Sequence, residues 1–283
     1  MKFALFPGCK IAYFLPSYGF STRALLKALG VDLVDMDFTC CGYPVRNFHS
    51  FVFLYTAIRN LALAEKEDLD ILTPCKCCFG TLKKAEFIWK ESSPAKQEIS
   101  HLLKQEGLIY EGKIRIHHLL SVLFHEIGLK KIKEKIIHPF KDLKIATHYG
   151  CHALRPSQIV QFDNPVNPTK FDQLVEVTGA ESISWSKKLL CCGNPLWGNN
   201  NELSLNLMET KLRDGRKAGA HYICVACTYC QIQFDTVQNM MIQKQGGNLI
   251  LPSILYPQLL GLSMGLDREA LRISRKEAIY GYL

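Results

Sequence analysis

Ten of the twelve cysteines in this chain of 283 residues fall into two copies of one pattern. The first copy is Cys9, then Cys40-Cys41-Gly42-Tyr43-Pro44, then Pro74-Cys75-Lys76-Cys77-Cys78. The second is Cys151, then Cys191-Cys192-Gly193-Asn194-Pro195, then Cys227-Thr228-Tyr229-Cys230. Four thiolates suffice for a tetrahedral zinc or an ordinary iron–sulfur cluster. Five per copy is one too many for either, and adjacent cysteines strain to share a single tetrahedral ion. An elongated, fused iron–sulfur cluster with more than four cysteine contacts fits the count better. The ferredoxin run C-x-x-C-x-x-C-x-x-x-C-P is absent; Cys224-x-x-Cys227-x-x-Cys230 comes nearest and lacks the fourth cysteine. Cys77 and Cys224 do not align between the copies. They read as accessory: buried small hydrophobes, or alternatively partners of a cluster sulfur or substitute ligands.

The two copies align in sequence. The first cysteines are 151 − 9 = 142 apart, the pairs 191 − 40 = 151 and the C-x-x-C groups 227 − 75 = 152. Nine extra residues in the second copy fit the turn-rich loop 162–168. Around the cysteines each copy reads as β–α–β–α–β–α. In the first, strands are expected at 2–6, 31–36 and 70–73, with helices at 17–29, 51–67 and 79–91. In the second, strands are expected at 144–148, 181–185 and 222–226, with helices at 171–177, 202–217 and 231–244. Residues 92–143 join the halves and carry helical pattern at 99–105 and 117–127. The expected domains are 1–143 and 144–283. The expected fold is α/β, two pseudo-symmetric Rossmann-like halves, each a parallel sheet flanked by helices. Every cysteine group follows a strand, so distant stretches converge at the carboxyl edge, where such sheets bind ligands.

Composition is that of a globular protein, 48% apolar and 21% charged. The formal charge of +8 counts thiols as neutral. Lys130, Lys131, Lys133, Lys135, Lys141 and Lys144 form a basic stretch, read as a solvated face and linker, with a docking patch for an acidic partner as the lesser reading. No aromatic-plus-basic motif supports nucleic-acid binding. Residues 1–8 are too quickly broken for a signal peptide, and 249–266 contains too many prolines and glycines for a membrane span. The chain is therefore expected in the cytoplasm, where clustered thiols mean metal or redox chemistry.

On these motifs the chain resembles the B-chain family of heterodisulfide reductases, within the CCG (cysteine-rich domain) proteins. The likeness runs over about residues 1–270 and takes in Gly8-Cys9, both CCG groups, and Thr73-Pro74-Cys75-x-x-Cys78-Phe79-Gly80-Thr81-Leu82. It also takes in His148-Tyr149-Gly150-Cys151-His152-x-Leu154-Arg155-Pro156-Ser157, Cys227-x-x-Cys230-Gln231 and Gln258-Leu259-Leu260-Gly261-Leu262. The resemblance implies two noncubane 4Fe–4S clusters that face each other and split a disulfide between them. By motif, one would be held by Cys9, Cys40, Cys41, Cys75 and Cys78, the other by Cys151, Cys191, Cys192, Cys227 and Cys230. It also implies two partner subunits, one ferredoxin-like and one containing flavin. His152, with His148 behind it, is the candidate proton source, and either could instead hydrogen-bond a cluster sulfur. Lys10 and Arg155 are candidates to hold an anionic substrate, or to compensate cluster charge.

Two other readings share the motifs. Heterodisulfide-reductase-like proteins of bacterial sulfur oxidation act on a lipoate carrier, and nothing in the sequence separates that substrate from coenzyme M and coenzyme B. Alternatively the chain is an electron relay with no substrate of its own, a reading that zinc in one half would favour.

Overall fold

The computed structural model describes residues 1–91, 93–246, 248, 250–273 and 278–282. Ser92, Leu249 and Leu283, which bound three of the spans expected above, lie outside the described residues. Among the described residues, eight short strands form two separate four-stranded sheets. β1 (Lys2–Leu5), β2 (Asp32–Val34), β3 (Ile71–Thr73) and β4 (Ile116–His118) build the first, in the order β2-β1-β3-β4. β5 (Lys144–Thr147), β6 (Glu181–Ser182), β7 (Tyr222–Val225) and β8 (Ser253–Leu255) build the second, in the order β6-β5-β7-β8. Every pairing is parallel. The expected pair of flanked parallel sheets is what the chain forms.

The central strands β3 and β7 are wholly buried, which is why they read as unbroken apolar runs and not as alternating ones. The fourth strand of each sheet escaped the sequence reading. β4 lies inside the expected linker, at the start of the segment expected to be helix 117–127, and the helical turns begin only at Leu119. Three residues are too few to display a period of two. The helix expected from 79 begins earlier, over Lys76–Glu91, so Cys77 and Cys78 sit in its first turn. The expected helix at 231–244 is the latter part of a continuous run from Thr228 to Gln245 with a π turn at Gln233–Val237.

The halves are packed together. Helix Lys76–Glu91 of the first half lies on Cys151–Ala153 and Ser157–Val160 of the second, and Cys9–Phe14 lies on Thr228–Ile232. The approach is close at Gly80, where a Cβ would stand 2.7 Å from the His152 carbonyl oxygen. Helix Tyr256–Ser263, near the end of the chain, packs on Pro16–Ala28 near its beginning, burying Leu25, Leu26, Leu259 and Leu260 completely.

Candidate metal centre

All six cysteine groups lie past the carboxyl ends of β1, β2, β3, β5, β6 and β7, and their side chains converge between the halves. Gly8 and Gly150 precede Cys9 and Cys151 with nearly the same backbone, φ 71° and ψ 160° against φ 72° and ψ 150°. The glycine of each CCG group has φ of 85° (Gly42) and 90° (Gly193), a region that L side chains rarely adopt. A Cβ there would also meet backbone: Phe53 O at 2.9 Å from Gly42, Ser204 O at 2.5 Å from Gly193. Those two carbonyls are equivalent, since 204 − 53 = 193 − 42 = 151. The motif needs glycine because the loop that presents both thiols is pressed onto the following helix.

The thiols form two strings. In the first half Cys9 sits against Cys40, Cys40 against Cys41, Cys41 against Cys78 and Cys78 against Cys75. In the second, Cys151 sits against Cys191, Cys191 against Cys192, Cys192 against Cys230 and Cys230 against Cys227. The strings meet where Cys75 neighbours Cys227. Cys75, Cys77 and Cys227 lie with their sulfurs within 4.8 Å of one another. Crowding splits the acidities. The Cys151 and Cys192 thiols, donating to Cys191, bring it down to about 2, while Cys191 pushes Cys192 up to about 12 against an opposing pull from Cys230. One thiolate thus suppresses the ionisation of its neighbours. Only cations can stabilise the whole string as thiolates, which is the condition of a metal-binding donor set. The donor set fits iron–sulfur ligation.

Of the accessory cysteines, Cys77 joins the junction, 3.7 Å from Cys227 Sγ and 3.5 Å from His152 Nδ1. Cys224 stays apart on β7, fully buried, with burial raising its pKa. His152 Nδ1 is also 3.4 Å from Cys151 Sγ, and its ring stands edge-on to Tyr43 at 5.1 Å. Burial, and then Arg46, hold His152 below the usual imidazole range. His148 is completely enclosed, with Nε2 3.2 Å from Cys230 Sγ; burial and then the Lys211 and Lys76 cations keep it neutral. Lys10 lies at the rim, its Nζ 4.5 Å from the Phe14 ring and 5.4 Å from that of Tyr229. Arg155 donates its backbone N–H to Cys151 O, and its side chain is exposed.

The sequence reading missed several residues here. Tyr43 and Tyr229 face each other across the junction at 5.1 Å, and Thr228 Oγ1 reaches over to Cys75 Sγ at 3.0 Å. Lys76 crosses the other way, donating to His148 O at 3.3 Å. Lys211 and Asn60 each hold the backbone of a CCG loop, and their spacing, 211 − 60 = 151, is that of the CCG pairs themselves. That shared offset was the available signal.

Cys75 is fixed through the preceding carbonyl: Pro74 O accepts from Tyr18 Oη at 2.5 Å and from His118 Nε2 at 3.1 Å. His118 Nδ1 accepts from Leu120 N, so the neutral ring uses both nitrogens. Burial, and then the Lys76 cation, push His118 down to about 3. The unfolded chain takes up a proton below about pH 6.5 that the folded chain refuses. This part of the stability is therefore complete above that pH and is lost as pH falls from about 6.5 towards 3. By pH 5 the loss amounts to roughly 2 kcal/mol. Urea unfolding at pH 7.5 and 5 is expected to show it in the wild type, and His118→Gln is expected to shed that share of the acid sensitivity.

The cysteine-rich (CCG) domain profile matches residues 3–83 and 145–235. The chain belongs to this family. It is 35% identical over 279 residues to the B chain of the ferredoxin:CoB-CoM heterodisulfide reductase of Methanosarcina mazei, covering 97% of this chain and 93% of the relative. It is 30% identical over 275 residues to the 8-methylmenaquinol:fumarate reductase membrane anchor subunit of Wolinella succinogenes, covering 96% and 95%. A hypothetical protein from Helicobacter pylori shares the fold, with a TM-score of 0.75 at 18% identity, over 96% of this chain and 50% of that one. The two relatives from Methanosarcina and Wolinella are named as subunits of reductases, which are oxidoreductases. No helix among the described residues is long and apolar enough to cross a membrane.

Proposed function

We propose that the chain is the iron–sulfur subunit of a heterodisulfide reductase-type complex, acting on a disulfide between two noncubane 4Fe–4S clusters. Cys9, Cys40, Cys41, Cys75 and Cys78 would hold one, and Cys151, Cys191, Cys192, Cys227 and Cys230 the other. The observation that carries this reading is the pair of five-thiol strings meeting end to end at Cys75 and Cys227. Such clusters supply two one-electron donors, and iron with affinity for thiolate, to a reaction that needs both. The chain's own groups do the rest. His152, which touches Cys151 and Cys77 at the junction, would move a proton to a departing thiolate. His148, held neutral, hydrogen-bonds the Cys230 sulfur. Lys10 at the rim would hold the substrate's anionic end, while exposed Arg155 would act further out.

The partners in this reading are a ferredoxin-like subunit and a flavin subunit, and the location is the cytoplasm, where the twelve unpaired cysteines stay reduced. The domain boundary falls between 143 and 144. Anaerobic purification followed by iron, sulfide and zinc analysis is expected to give about eight irons per chain and no zinc, as two four-iron clusters require. Four irons and one zinc would sink the two-cluster reading. The relative named as part of a fumarate reductase favours a second reading, an electron relay without a disulfide substrate. Assays with a small heterodisulfide and with a carrier-borne dithiol separate the two: a relay turns over neither.

A further inference from the structure

The two halves answer the same structural need with different chemistry. In the first, Asn60 is fully buried; its Oδ1 accepts from Thr39 N at 2.8 Å and its Nδ2 donates to Cys40 O at 3.1 Å. At the equivalent position of the second half stands Lys211, also fully buried. Its ammonium donates to the carbonyls of Lys187, Lys188 (3.2 Å) and Leu190 (3.0 Å), the loop that delivers Cys191 and Cys192. Burial draws Lys211 down to about 7, and against it three carbonyl acceptors match the three hydrogens of –NH3+ and favour the charged form. The Trp185 ring, 4.5 Å away, adds a further contact that favours a cation.

A second buried cation leans the same way. Lys76 belongs to the first half, yet its ammonium bonds His148 O and lies 4.5 Å from the Phe171 ring. Burial likewise draws Lys76 down to about 8; the thiolates that most oppose this are Cys230, Cys227, Cys224 and Cys151 for Lys76, and Cys192, Cys230 and Cys191 for Lys211. Every one belongs to the second half. Among the described residues, Lys76 and Lys211 are the buried lysines, and no arginine is buried. The cation beside the first set, Lys10, is partly exposed, where water screens it.

We infer that the two sites are electronically unequal, the buried Lys211 and Lys76 ammoniums making the second-half site the one that takes an electron first. The inference rests on the two-cluster reading above. Reduction adds one negative charge to a site, and a fixed cation in a poorly screened interior stabilises that added charge. Asn60 offers only dipoles, and it directs those at the backbone. An electron entering the complex would therefore settle on the second site, and the first would complete the pair.

The test is a spectroscopically monitored redox titration of the anaerobically purified full chain, with iron counted on the same sample. The wild type is expected to show two midpoints. Lys211→Asn, which installs the first half's residue, is expected to lower the upper midpoint by at least tenfold in the redox equilibrium, about 59 mV for one electron, and to leave the lower one in place. Coincident wild-type midpoints overturn the inference without any variant, as does a Lys211→Asn chain whose midpoints stay put or move together. Iron separates the two failures. About four irons in the wild type overturns the two-cluster reading and the inference with it, whereas about eight with coincident midpoints overturns the inference alone.

Discussion

Cys192→Ala is expected to halve the iron content, from about eight to about four per chain, and to cut disulfide reduction by at least on the order of 10³. Cys192 is buried at the centre of the second string, between Cys191 and Cys230. Without it the string breaks into Cys191 with Cys151 on one side and Cys230 with Cys227 on the other. Neither fragment offers the donors of a cluster. The first string shares no member with the second and should load normally, so half the iron remains while the two-electron reaction loses one of its donors. The control is Cys224→Ala. It removes a sulfur that is just as buried but outside the strings, and is expected to cost about 1 kcal/mol of packing and no iron. Iron and sulfide analysis beside turnover reads both variants. Full iron in Cys192→Ala would remove that residue from the ligand set.

Gly193→Ala is expected to destabilise the chain by about 3–5 kcal/mol, combining the left-handed strain of a non-glycine residue with overpacking. The Cβ would stand 2.5 Å from Ser204 O, and this is backbone that cannot swing aside. Ser204 is itself tied down: its Oγ donates to Gly193 O at 3.0 Å and accepts from Gln233 Nε2 at 3.0 Å. Gly198 separates the two causes, because its φ of 94° carries the same strain with nothing within 4 Å of an added Cβ. Gly198→Ala should therefore cost only about 1 kcal/mol, the lower end of that strain. Urea titrations of the two variants give the comparison. Equal losses would mean that the contact with the following helix is not what the CCG glycine serves.

Much of this arrangement could be read in advance because strands, turns and thiols are local signals. The runs at β1, β3, β5 and β7 end two to four residues before a cysteine group, and the parallel sheet converts that spacing into convergence. The offset near 151 shared by the CCG pairs and the C-x-x-C groups announced the duplication and, with it, two corresponding sites. What stayed hidden depends on contacts between halves. Nothing local marks Lys76 as a residue whose ammonium ends up against His148, or Thr228 as a neighbour of Cys75. Cys77 looked like a spare hydrophobe because it lacks a counterpart in the other copy, yet it lies at the junction where symmetry between the halves is broken. Lys211 looked like any charged position on an amphipathic helix. Only the packed loop 187–190 shows what it holds.

Helix Tyr256–Ser263 on Pro16–Ala28 has a consequence for biosynthesis. During translation the first sheet emerges early, but the apolar face carrying Leu25 and Leu26 lacks this cover until helix Tyr256–Ser263 has left the ribosome. The N-terminal half therefore lacks part of its packing until helix Tyr256–Ser263 arrives. Its cysteines reach their final positions only when those of the other half do. On the proposed two-cluster reading, loading of the first site is thus tied to synthesis of the second half, and filling the two becomes one maturation event.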